Sequence, residues 1–185
     1  GLRWSAYSPA HKVELMSHAV RGADGRYLVF DPIPLSESAW RRWPLDGLVS
    51  AIVLTSGNHE RAAAVWRSRL GCPVMGPAGV PWELEGIQVA EGTLPGGWRA
   101  VPLPGGAPGE TAWRLDSSGL AVFGDAVVNL AGRALELLPA KYCTDPVELR
   151  KSLELLTRDG FERALFAHGD PIGERACERI RALVR

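Results

Sequence analysis

Between Lys12 and Pro32 apolar and polar residues alternate on both sides of Ala23-Asp24-Gly25, a turn signal, and the pattern predicts a β-hairpin. Its second arm, Tyr27-Leu28-Val29-Phe30, runs into Asp31-Pro32. Proline has no amide to give a ladder, so Asp31 is expected at a strand end. The short, partly β-branched run Ala51-Ile52-Val53-Leu54 reads as a strand buried on both faces, ending in Thr55-Ser56-Gly57-Asn58. Asn58 is expected to cap a following helix whose inner stripe is Ala62, Val65, Trp66 and Leu70, with Gly71 as its stop. A short strand around Val74-Met75 then completes a β-α-β unit.

From Trp82 to Asn129 short strands alternate with turns at Pro95-Gly96-Gly97, Pro104-Gly105-Gly106 and Asp116-Ser117-Ser118-Gly119, which predicts a β meander. Asp145-Pro146 opens a helix with Leu149, Leu153 and Leu156 on one face, and Gly160 follows its end. Ala164-Leu165-Phe166-Ala167 is a second buried strand, followed by His168-Gly169-Asp170-Pro171 and a closing helix with Ala176, Ile180 and Leu183 inward. The two halves echo each other. Each has a strand ending in aspartate, Phe30-Asp31 and Phe123-Gly124-Asp125, with a later strand, polar loop and helix. The echo places Asp31, the loop 56–61, Asp125 and His168 at strand ends facing one crevice.

With 185 residues, 46% of them apolar, the chain is long enough for one sizeable core and is expected to form a single domain over 1–185. Twenty-one basic residues balance twenty-one acidic ones, so there is no strong field to recruit nucleic acid or an anionic membrane, and neither partner is expected. A small-molecule ligand or substrate is. Cys72, Cys143 and Cys177 are odd in number and scattered, which suits a reducing cytoplasm better than a disulfide framework or thiolate zinc site. No apolar run approaches the roughly twenty residues that span a bilayer, and the first residues lack a signal-peptide layout.

The order of these elements and motifs resembles the metallo-β-lactamase superfamily, whose fold is a four-layer αββα sandwich of the α/β (α+β) class with its site on loops along one edge of both sheets. The family's T-H-x-H-x-D-H falls on Thr55-Ser56-Gly57-Asn58-His59-Glu60-Arg61, and its P-G-H-T-P-G-S on Pro104-Gly105-Gly106-Ala107-Pro108-Gly109-Glu110. The apolar strand running into G-D matches Phe123-Gly124-Asp125, and the late histidine matches Ala167-His168-Gly169. The resemblance implies that one metal position is lost. Its three histidines are replaced by Ser56, Asn58 and Gly106.

The second position would use Glu60, Arg61 and His168, with Asp125 bridging. Two expectations compete there. In the first no cofactor binds: Arg61, permanently charged, bridges Glu60 and Asp125 as an ion cluster, and the crevice binds a ligand through Arg61, Ser56 and Asn58. In the second, Glu60, Asp125 and His168 hold one divalent metal (zinc, manganese or iron) that activates water, with Asp125 and His168 as the catalytic pair. A Ser56, His168, Asp125 nucleophilic triad is a third arrangement, although no G-x-S-x-G elbow presents the serine. His59 falls in the first turn of the expected helix and is placed on the surface. His11 and His18 lack partner histidines at ligand spacing. Trp40 and Trp43 follow Asp31 in a proline-bounded segment that either overhangs the crevice or anchors itself to the body.

Overall fold

A computed structural model describes residues 1–185. The strands are β1 (Leu2–Ser8), β2 (Val13–Arg21), β3 (Tyr27–Phe30), β4 (Val49–Val53), β5 (Val74–Gly76), β6 (Gln88–Val89) and β7 (Thr93–Leu94). There follow β8 (Trp98–Pro102), β9 (Thr111–Leu115), β10 (Leu120–Phe123), β11 (Val127–Val128), β12 (Glu136–Leu137) and β13 (Arg163–Phe166). The helices are α1 (Glu37–Trp40), α2 (Ala63–Leu70), α3 (Pro146–Leu156) and α4 (Ala176–Val184).

One sheet has the order β1-β2-β3-β4-β5-β6 and the other β13-β10-β9-β8-β7, with β11 and β12 as a separate ribbon. Strand alternation assigns the layers, because successive side chains leave a strand on opposite faces. Leu28, Phe30, Ala51 and Val53 of the first sheet meet Trp98, Trp113, Leu115 and Val122 of the second in the central core. Val29, Ile52 and Leu54 point the other way and pack with Ala63 and Trp66 of α2. Ala112, Ala121 and Phe123 face Leu149, Leu153 and Ile180 of α3 and α4. The result is the expected helix, sheet, sheet, helix sandwich.

The predicted hairpin forms, with β2 antiparallel to β3. Asp145 caps α3 through the amides of Val147 and Glu148, Pro146 stands at the first helical position, and Gly71 ends α2 in the left-handed region. The meander differs from expectation at its start, since β6 leaves to pair with β5 in the first sheet and the antiparallel run begins at β7. β1, whose exposed residues carry little periodicity, extends the hairpin at the sheet edge. The helix after β4 starts later than expected. Ala62, with no capping side chain, precedes it, and Asn58 lies in a loop.

Candidate metal centre

β3 runs parallel to β4, and β10 runs parallel to β13, so the carboxyl ends of all four strands meet at one edge of the sandwich. This realises the two-fold echo read from the sequence. Asp31 follows β3, the loop 55–61 follows β4, Asp125 follows β10 and His168 follows β13. The sheets are tied together here: the Met16 amide donates to Ala167 O at 2.8 Å, and His18 Nε2 donates to Phe166 O at 2.8 Å. Burial keeps His18 below its ordinary pKa, in keeping with a neutral donor in the core.

Asp31 adopts φ 47°, which is uncommon for a residue with a side chain. The conformation is over-determined. Ser17 Oγ donates to Asp31 O at 2.6 Å and accepts from the Ile33 amide at 2.9 Å, while the Asp31 carboxylate takes the Thr55 amide (2.9 Å) and Thr55 Oγ1 (2.6 Å). The remaining contact of Asp31 Oδ2 is His59 Nδ1 at 3.0 Å.

His59 is 3% exposed, and its other nitrogen, Nε2, lies 3.2 Å from Asp125 Oδ1. His168 Nε2 approaches the same oxygen at 3.1 Å, with its Nδ1 turned toward Glu14 O at 3.4 Å. The second Asp125 oxygen is held from outside, by Asn58 Nδ2 at 3.0 Å and Ser56 Oγ at 3.5 Å. Two imidazole nitrogens and one carboxylate oxygen therefore converge, each with its far side already engaged. Burial and Arg61 push the His59 pKa down, but Asp125 and Asp31 on either side outweigh them and raise it to about 9. Burial works against the charged form of Asp125 too, and the two histidines overcome it, holding its pKa well below the ordinary value.

Several expectations need correction. Glu60 is not in the site: its carboxylate accepts from the Glu83 amide at 3.0 Å on the outside of the loop. Arg61 does not bridge Glu60 and Asp125. Its Nη1 donates to Met16 O (2.8 Å) and Asp31 O (3.0 Å), which fastens β2 to the end of β3, and its Nη2 is buried without a partner. His59, expected on the surface, is at the centre. The cause is local: Arg61 takes φ 42°, so the chain makes a tight loop over 55–61 before α2 begins, and this turns His59 inward and Glu60 outward. Asn58 consequently serves Asp125 rather than a helix end. Ser56 contacts Asp125 and neither nitrogen of His168, so the nucleophilic triad is not assembled. Trp40 packs on Trp66 at a tilt and Trp43 meets it edge-on, with ring centroids 4.5 and 5.0 Å away, and they anchor their segment to α2.

Glu110 was not a sequence candidate, yet it is buried beside the centre. Its Oε1 accepts from the Ala126 amide at 2.9 Å, and its Oε2 has no partner. Burial, then Asp125, raise its pKa to about 8. The available signal was a glutamate at the end of the glycine- and proline-rich turn Pro104-Gly105-Gly106-Ala107-Pro108-Gly109-Glu110.

The donor set fits a metal ion. His59, Asp125 and His168 form the single group of three metal-ligating side chains whose donor atoms all lie within 4.8 Å of one another. Two histidines with one carboxylate is an established composition for a transition-metal site. A carboxylate on the outer nitrogen of a ligand histidine, as Asp31 is on His59, fixes the tautomer that leaves Nε2 free to ligate.

Similar folds occur among solved structures. TTHA1623 in a di-iron-bound form is 23% identical with TM-score 0.71, covering 94% of this chain and 94% of that one. A metallo-β-lactamase from Pontibacter korlensis gives TM-score 0.74 at 15% identity, covering 98% and 94%. The metallo-β-lactamase FIM-1 from Pseudomonas aeruginosa, in a mono-zinc form, gives 0.71 at 12%, covering 98% and 88%. The chain has the metallo-β-lactamase fold. No family model matches the sequence, and no curated protein matches it. No helix is long and apolar enough to cross a membrane.

Proposed function

We propose that the protein is a hydrolase of the metallo-β-lactamase fold built around one divalent metal, held by His59, Asp125 and His168. The observation that carries this reading is the convergence of their three donor atoms, with His59 Nδ1 on Asp31 and Asp125 Oδ2 on Asn58. A divalent ion bound there supplies Lewis acidity toward water and toward a substrate carbonyl or phosphoryl oxygen.

The chain's own residues set the rest. Asp31 and Thr55 lock the His59 ring, and Asn58 and Ser56 direct Asp125 so that Oδ1 alone faces the imidazoles. Arg61 binds the backbone carbonyls of Met16 and Asp31 and keeps the strand ends registered. The motif resemblance sets Ser56, Asn58 and Gly106 against the family's other metal-holding histidines, and on that resemblance a single ion is expected rather than a pair. Zinc, manganese and iron all suit this donor set.

A metal-free reading has one observation in its favour. With His59 raised to about 9, its imidazolium bridges Asp31 and Asp125 and offsets part of their charge without any metal, and the crevice then only binds a ligand. Chelation separates the two. Purified protein loaded with zinc, manganese or iron is assayed on esters, thioesters, lactams and phosphodiesters, before and after chelator treatment. Turnover that disappears with the metal, returns on reloading and is absent from His59→Ala supports the hydrolase. Turnover indifferent to chelator and to that substitution refutes it.

A further inference from the structure

Glu110 is buried, and one of its carboxyl oxygens has no partner in the protein. Such an oxygen is costly to leave unmatched, and native structures that contain one generally have a use for it. Its position is specific. A Cβ built on Gly106 would stand 2.7 Å from Glu110 Cγ and 2.8 Å from its Cβ, so the glutamate arm runs through the room a side chain at position 106 would need. A Cβ on Gly124 would collide with Thr55 Oγ1 and stand 2.9 Å from Glu110 Oε1, so the carboxyl abuts the strand end bearing Asp125, on the side where the Thr55 hydroxyl reaches His59. Glycine at 106 and glutamate at 110 are thus sterically coupled: the missing side chain at the first leaves the space that the second occupies.

We infer that Glu110 is a fourth protein donor of the centre, delivering its unmatched carboxyl oxygen to the bound ion from the space vacated at position 106. The inference rests on the metal-binding reading above. Glu110 is not among the three donors that already converge, so it joins by rotation about its own side-chain torsions. Oε1 and the Ala126 amide set the arm's starting point.

The test uses cobalt(II) as probe on the whole chain, wild type against Glu110→Gln, which keeps the volume and an oxygen acceptor for the Ala126 amide. Chelator competition gives affinity and visible absorption gives coordination. Thermal melting of the metal-free proteins checks folding. Loss of a donor is expected to weaken cobalt binding by about tenfold or more and to change the absorption band. Gly106→Ala, which pushes the Glu110 arm aside without altering any carboxyl, is expected to weaken binding in the same direction and serves if Glu110→Gln does not fold. Unchanged affinity and spectrum in the folded variants overturn the inference while leaving the three-residue centre intact. Absence of cobalt from the wild type as well overturns the centre itself, and Glu110's part with it.

Discussion

Replacing His59 by glutamine removes the one cation between two buried carboxylates, and the consequence for stability can be worked from the structure. In the metal-free protein the His59 pKa rises from its ordinary 6.5 to about 9, which corresponds to about 3 kcal/mol of folding free energy. The ring is almost fully buried, so solvent screening takes little of it. A group whose pKa is raised by folding contributes fully below its unfolded value, here 6.5, and loses that contribution as pH climbs through 9. Glu110, raised from 4.5 to about 8, has the same sign in a lower window. Between pH 8 and 9 the slope therefore belongs mainly to His59 and amounts to about 1 kcal/mol lost per pH unit. His59→Gln should remove that slope and, by stranding Asp31 and Asp125, cost about 3–5 kcal/mol near neutral pH. Urea unfolding of chelator-treated protein, followed by tryptophan fluorescence from pH 6 to 9.5, measures both. Wild-type stability that is flat from pH 8 to 9, or a variant with the wild-type slope, would refute the reasoning.

Two further substitutions probe what surrounds the centre. Asn58→Ala frees the outer oxygen of Asp125, and metal affinity read by chelator competition should fall by about 10–100-fold with little change in melting temperature; unchanged affinity would mean that Asn58 does not orient the carboxylate. Gly169→Ala adds a Cβ that meets Asn129 O in a residue with φ 104°, next to His168, and should destabilise the fold by about 2 kcal/mol or more in denaturant titration.

The parts of the fold that were readable are those in which local pattern and tertiary role agree. Phe30-Asp31 and Phe123-Gly124-Asp125 announce strands that end in a carboxylate, and the buried runs ending at Leu54 and Ala167 supply their parallel neighbours. From these four ends the location of the crevice, and the presence of Asp125 and His168 in it, could be read. The loop 55–61 could not. A helix beginning at Asn58 would put His59 and Glu60 where simple capping rules place them, but Arg61 adopts a left-handed backbone that sequence patterning does not reveal, and the helix is delayed to Ala63. That shift puts His59 rather than Glu60 beside Asp125 and His168. Glu110 was hidden for a related reason: an acidic residue after Pro-Gly reads as a solvated turn, and only the close approach of its side chain to Gly106 and Gly124 shows where it goes.

Metal content tests the central claim most directly. Wild type and Asp125→Ala, each loaded with zinc, manganese or iron and freed of loose metal, are compared by elemental analysis. About one equivalent per chain in the wild type, lost in the variant, is the expected result. No retained metal in either protein, or the same content in both, would contradict a centre formed by His59, Asp125 and His168.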